Sequence, residues 1–186
     1  ARKTLALGRS ALILAPEIAL TTQLVAQVRG RFGAQAAVLH SGLVPSERWR
    51  EWHRVARGEA TIVVGARSAV FAPLRNLGLI VVDEEHDASY KQGEGARYNA
   101  RDLAVMRGQI LGCPVILGSA TPALETHINT QGGRYARIEL TERIESRPLP
   151  QVEVIDLRQE PAGTIFSGPL RQALLDNYEA GKQSLL

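Results

Sequence analysis

The stretch "LGLIVVDEEHDASYKQ", residues 77–92, decides how this chain is read. It opens with a near-continuous apolar run of the kind that fills the interior of a parallel sheet. The run stops against five polar residues: Asp83, Glu84, Glu85, His86 and Asp87. Four carboxylates crowded at the end of a buried strand repel one another and gain nothing for folding. A carboxylate in that place can hold a Mg²⁺ ion, usually through water, with the metal bridging nucleotide phosphates. A neighbouring glutamate can then position and deprotonate the attacking water. A solvated acidic turn is the plainer alternative, but the strand in front favours a Walker-B-type site. On this reading Asp83 and Glu84 are catalytic, and Asp83 carries Mg²⁺ through water. Glu85 and Asp87 are expected to face solvent or basic partners. His86 has no HExxH spacing or second histidine beside it, so it is placed as a sensor of the hydrolysis state rather than a zinc ligand.

Five more short apolar runs recur around this one: residues 10–15, 36–41, 60–66, 113–120 and 152–157. Between them lie amphipathic stretches. Residues 19–31 align Leu20, Leu24 and Val28. Residues 45–57 open on Pro45 and align Trp49 and Trp52 with Val55 or Ala56, and residues 99–111 carry Leu103, Val105 and Met106. Strand–helix alternation predicts an α/β fold, a doubly wound parallel sheet with helices on both faces. In such folds sites gather at the carboxyl ends of the strands. Those ends read "APE", "LHSG", "GARSA", "DEEHD" and "GSATP", five polar or small-residue loops converging on one edge.

Length and composition bound the rest. At roughly 100–200 residues per domain, 186 residues make one domain and part of another. The proline-containing segment 142–151 reads as the boundary between a lobe at 1–147 and the opening of a second at 148–186, which contains a helix over 168–180 with Ser167 as its cap. The net charge of +3 permits nucleic-acid binding without proving it, and it is carried by arginine, since only Lys3, Lys91 and Lys182 are lysines. The single cysteine, Cys113, reads as a packed thiol in a reducing, cytoplasmic setting. No apolar stretch approaches the ~20 residues of a membrane span.

"VVDEEH" followed downstream by "LGSATP" resembles motifs II and III of superfamily 2 helicases of the DEAH-like kind. "LILAPEIALTTQL" is similar to their motif Ia, and residues 63–105 cover motifs Ib and II. Together these resemble the PriA family of primosomal replication-restart helicases, over nearly all 186 residues and with particular specificity from Gly65 to Asp102. The resemblance implies the RecA-like first lobe of a bacterial, nucleoid-associated ATP-dependent DNA helicase that acts as a monomer. ATP and Mg²⁺ are its implied cofactors, with zinc confined to a region downstream of this chain. Single-stranded and forked DNA, other primosome proteins and the single-stranded-DNA-binding protein are its implied partners, and movement is 3′-to-5′ at stalled forks. Asp83 would hold Mg²⁺ and Glu84 would activate water. His86, Ser119 and Thr121 would couple nucleotide state to lobe movement. Pro16, Glu17, Gly65, Arg67 and Ser68 would border the DNA track. Where "GTRSA" is common, this chain has Ala66 and lacks that hydroxyl.

The loop 89–102 interleaves Tyr90, Lys91, Arg97, Tyr98 and Arg101 with glycines, a pattern suited to stacking bases and holding phosphates. An ordinary surface loop is the alternative. In the family an aromatic-rich loop after motif II links DNA occupancy to hydrolysis, which favours DNA binding. Trp49 and Trp52, at helical spacing, are expected in the core. His40 stays open between DNA contact and capping.

No G-x-x-x-x-G-K-[ST] occurs. Lys3–Thr4 echoes its end but lies too close to the strand at 11–15, so Lys3 is read as belonging to the helix after a P-loop located upstream. The chain alone is therefore expected to be inactive as an ATPase. Two further readings compete: another fork-remodelling translocase, and a degenerate lobe serving as a DNA- or protein-binding module. A hydrolase with its own metal lacks the histidine or cysteine ligands such sites use.

Overall fold

Five of the six apolar runs become strands of one parallel sheet, while the sixth does not. The computed structural model describes residues 1–20, 22–141, 151–161 and 163–186. The chain divides into two compact units, Ala1–Arg137 and Ile138–Leu186. The boundary expected at 142–151 falls, except for Gln151, outside the described residues.

In the first unit the strands are β1 (Ser10–Leu14), β2 (Ala36–Leu39), β3 (Ile62–Gly65), β4 (Leu77–Val82), the short β5 (Lys91–Gln92) and β6 (Tyr98–Asn99), and β7 (Val115–Leu117). The main sheet runs β2-β3-β1-β4-β7, every neighbouring pair parallel. Leu12 stands opposite Val63 on one side and Ile80 on the other. β5 and β6 form a separate antiparallel ribbon. With all five strands parallel, their carboxyl ends share one edge, as the alternation of strands and helices predicts.

The helices of this unit are α1 (Arg2–Ala6), α2 (Thr22–Phe32), α3 (Pro45–Arg57), α4 (Ala100–Leu111) and α5 (Leu124–Gln131). One core packs Leu12, Leu14, Val63, Ile80 and Val82 against Val55 of α3 and Ala100 and Ala104 of α4. A smaller core on the opposite face joins Ile62 and Val64 to Leu24, Val28 and Phe32 of α2 and Leu5 of α1. Gly108 lets α4 lie close to β7, since a Cβ there would sit 2.2 Å from a Val115 methyl. The expectation of strands buried on both faces holds for β2 and β3, which are buried throughout. It fails for β4 and β7, where Leu79 and Val81 are half-buried and Ile116 is exposed, because α1 and α2 pack over the β1–β3 side.

The helices follow expectation only in part. The first predicted helix starts at Thr22 rather than 19, because Glu17–Ala19 form a 3₁₀ turn and Leu20 is buried beyond it. α3 matches its predicted span and ends on Gly58 in the left-handed region (φ 81°). Of its two tryptophans Trp52 packs against the core, but Trp49 is 63% exposed and stacks on His53. Helix α5 was not foreseen, its eight residues "LETHINTQ" being too short and polar to register. Cys113 is buried as a free thiol.

In the second unit α6 (Gly168–Glu179) carries the expected cap, Ser167 Oγ accepting from the Leu170 N–H at 3.3 Å. The run "VEVIDL" is the correction: residues 152–156 belong to no strand, with Val152 and Val154 exposed. A strand needs a neighbour's N–H and C=O groups, and none pairs with this segment among the described residues. No helix among the described residues is long and apolar enough to cross a membrane.

Candidate active site and nucleic-acid interface

β4 delivers its acidic residues onto the shared edge, and the backbone there is tightly stitched. The Asp83 N–H donates to Leu14 O at 2.9 Å, the Glu85 N–H to Gly118 O at 3.0 Å, and the Gly118 N–H to Val82 O at 2.8 Å. Asp83 and Glu84 are exposed. Glu84 adopts φ +46°, the left-handed region that costs a non-glycine residue about 1 kcal/mol or more. In that conformation its N–H donates to Asp83 Oδ1 at 3.1 Å, and its carboxylate stands 3.6 Å from His86 Nδ1.

His86 reaches across to the loop after β7. Its Nδ1 lies 2.7 Å from Ser119 Oγ and its Nε2 3.4 Å from Thr121 Oγ1, while Ser119 Oγ also accepts from the Thr121 N–H at 3.0 Å. The three residues grouped from sequence as coupling residues therefore meet, 33 and 35 positions apart in the chain.

Glu85 corrects an expectation. It does not face solvent but is 2% exposed. One oxygen accepts from the Ala123 N–H at 2.7 Å; the other accepts from Thr126 Oγ1 at 2.9 Å and Arg101 Nη1 at 3.2 Å. The basic partner is real, but it is enclosed. Arg101, read as a loop cation, is itself buried in the first turn of α4, with Nε donating to Asp102 at 2.8 Å. Burial pulls its pKa down, and Asp102 and Glu85 more than reverse that, so it is raised. Thr126 and the Ala123 N–H were missed. The only sequence signal for them was the spacing of "ETH" after "GSATPAL", which is no signal without the fold. Asp87 caps the turn Ala88–Tyr90 by accepting from the Ser89 N–H at 2.7 Å. Hydrogen bonds from the side chain and backbone of Ser89 hold its carboxyl below the usual range.

The loop 88–99 divides its aromatics. Tyr90 was grouped with the base-stacking residues; it is 1% exposed, in the core. Its hydroxyl donates to Asp83 O at 2.6 Å, and burial, reinforced by the charges of Asp83, Asp87 and Glu84, pushes that hydroxyl's pKa up, so it stays protonated and donating. A ring so enclosed presents no face to a base. Tyr98 is half-buried, edge-on to Phe71 with ring centres 5.2 Å apart, and Lys91 and Arg97 are exposed. Arg67 straddles Tyr90, its Nη1 donating to Ser89 O at 3.1 Å and Lys91 O at 2.8 Å.

Beside this loop opens a cleft of about 120 Å³, lined by Glu17, Ser41, Ala66, Arg67, Ser68, Ser89, Gln92 and Tyr98. It gathers the ends of β1, β2 and β3 with the ribbon. Pro16 is buried behind Glu17. Gly65 is obligatory, since a Cβ there would come within 2.4 Å of Ala69 Cβ and 2.5 Å of Leu39 O. Thus Glu17, Arg67, Ser68 and Tyr98 come together at the cleft, Pro16 and Gly65 are buried and outside its lining, and Tyr90 leaves the set. Among the described residues no group of three or more His, Cys, Asp or Glu side chains is arranged to hold a metal.

Known proteins match this arrangement. The family model described as DEAD/DEAH box helicase fits residues 2–129. The replication restart protein PriA of Bacillus subtilis (strain 168) is 46% identical over 187 residues, covering 99% of this chain and 23% of that protein. Its namesake in Treponema pallidum (strain Nichols) is 45% identical over 186 residues, covering 100% and 28%. That of Synechocystis sp. is 46% identical over 189 residues, covering 96% and 22%. The chain therefore spans about a quarter of the length of these relatives, and the resemblance drawn from motifs Ia to III agrees with their name. Because residues 2–129 take in every strand of the sheet and both loops that meet at His86, the chain belongs to the DEAD/DEAH box helicase family.

Proposed function

We propose that this chain is the motif-Ia-to-III part of a longer ATP-dependent DNA helicase that moves 3′-to-5′ on single strands at stalled forks during replication restart. Residues 1–147 form most of its first RecA-like lobe and residues 148–186 open the second. The observation that carries this reading is His86, bonded to Ser119 and Thr121 while 3.6 Å from the Glu84 carboxylate. A side chain so placed responds both to the water-activating group and to the loop that must move when phosphate is lost.

The donor chemistry at the strand end suits a hard divalent cation. Asp83 offers exposed carboxylate oxygen, and the hydrogen bond it accepts among the described residues comes only from the adjacent Glu84 N–H. When bound, Mg²⁺ would neutralise charge on the nucleotide phosphates. Glu84 takes a proton from water, its exposed carboxylate standing beside His86. The cleft edged by Glu17, Arg67, Ser68 and Tyr98, with Lys91 and Arg97 exposed on the neighbouring loop, tracks the sugar-phosphate backbone without reading sequence. These 186 residues contain no phosphate-cradling G-x-x-x-x-G-K-[ST], so turnover requires the longer protein. Robust DNA-stimulated hydrolysis by the chain alone would sink that part.

The test is Glu84→Gln in the full-length protein, assayed for ATP hydrolysis with and without forked DNA. Removing a general base lowers turnover about 10²- to 10⁴-fold, and ATP and DNA binding are expected to persist. Unchanged hydrolysis would overturn the assignment.

A further inference from the structure

The buried pair Glu85–Arg101 joins three segments that the proposed motor must move together. Glu85 belongs to the acidic loop. Two of the groups it binds, the Ala123 N–H and Thr126 Oγ1, belong to the start of α5, directly after the loop that carries Ser119 and Thr121. The third, Arg101, sits in the first turn of α4, which follows β6 without a break and is capped by Asn99 through the Arg101 N–H at 3.0 Å. The ribbon strand β6 thus runs straight into the guanidinium that neutralises Glu85.

We propose that Glu85 is a positioning residue: through Arg101 it makes the placement of Ser119 and Thr121 against Glu84 depend on the conformation of the ribbon 91–99. The inference rests on the motor reading above and names its regulation. A carboxylate that is 2% exposed cannot release its cation without a large penalty, so the two side chains move as one. When a strand in the cleft shifts Gln92 and Tyr98, β6 displaces Arg101 and Glu85 follows. The Ala123 N–H and Thr126, both bonded to Glu85, then carry the start of α5 with them. His86, one residue on, keeps the acidic loop in register with Ser119. The Glu85 N–H bond to Gly118 O adds a backbone link in the same direction. Salt bridges of this kind add little net stability, which leaves coupling rather than folding as the reason to bury a charged pair here.

The experiment compares the full-length protein with Glu85→Gln and Ala123→Pro. ATP hydrolysis is measured without DNA and with a single-stranded oligodeoxythymidylate, alongside affinity for that strand. Gln removes the charge that Arg101 answers. Pro removes only the N–H donor at Ala123, whose φ of −58° a proline ring accepts, and leaves Glu85 and Arg101 intact. If Gln prevents folding, the proline variant alone decides. Expected is DNA-free turnover and strand affinity close to wild type, with the DNA stimulation factor reduced about tenfold. Wild-type stimulation in both variants would overturn the proposal, as would parallel loss of DNA-free and DNA-stimulated rates, which a structural role alone produces. Absence of turnover in the wild type, or full activity of Glu84→Gln, would overturn the motor assignment and this inference with it, a pattern distinct from either of those.

Discussion

The two ends of the sheet's functional edge are built in opposite ways. After β4 and β7, most polar groups other than the exposed carboxylates of Asp83 and Glu84 are answered within the protein: the Asp83 backbone by Leu14 and Tyr90, Glu85 by Arg101, Thr126 and Ala123, His86 by Ser119 and Thr121. After β1, β2 and β3, Glu17, Ser41 and Ser68 are exposed around an open cleft. A reacting centre gains from dipoles fixed in advance. On the proposed reading the open end grips and releases a strand, and such a surface gains from exposed polar groups and from contacts that salt can screen. Arg67 stands between the two, lining the cleft while holding both carbonyls that flank Tyr90.

Substitutions at each end can break this contrast or sharpen it. The largest effect is expected at Asp83→Asn in the full-length protein, where losing an anionic metal ligand lowers turnover about 10³-fold. Single-strand affinity measured in parallel should hold; a matching fall in affinity would mean that the two ends are not separable. Next is Tyr90→Phe, which removes the donor to Asp83 O and keeps the ring. Urea unfolding of the chain should register a loss of about 1–2 kcal/mol, while DNA affinity stays unchanged. Unaltered stability would restore Tyr90 to the DNA-facing set.

Arg67→Ala should weaken binding of the chain to single-stranded DNA about tenfold and reduce the slope of log affinity against log salt by about 1. An unchanged slope would show that this guanidinium serves the loop alone. The smallest effect is the acid dependence of Asp87. Its folded pKa lies below the ordinary 3.8, so its contribution is present above that value and is lost as pH falls through the lower folded one. Asp87→Asn should lower the urea midpoint slightly at neutral pH and converge with the parent protein below about pH 4; a difference that persists at low pH would point to a role other than the charged cap on Ser89.

Much of this was legible in order and chemistry. The apolar runs at 10–15, 36–41, 60–66, 77–84 and 113–120 specified the five strands of the sheet, and "DEEH" with "SAT" marked the two loops that meet at His86. Periodicity cannot tell which face of a loop turns inward. Glu85 and Tyr90 carry the same local signals as Glu84 and Tyr98, yet one of each pair is buried. The run at 152–157 has as much strand character as 36–41, but β2 has β3 beside it and residues 152–156 have no paired neighbour among the described residues.

The sequence by itself determined the parallel sheet and the edge on which the loops meet, and its motifs carried the resemblance that pointed to the family and proposed Asp83, Glu84, His86, Ser119 and Thr121 as site residues. Those follow from patterns spelled by neighbouring residues, because hydrophobic period and motif spacing are local. Only the tertiary structure decided that Glu85 is enclosed by Arg101 and Thr126, 16 and 41 residues away, that Tyr90 props Asp83 rather than stacking a base, and that Trp49 faces water. Those depend on which distant groups arrive at a given distance, and a buried charge or hydroxyl settles wherever a partner can satisfy it.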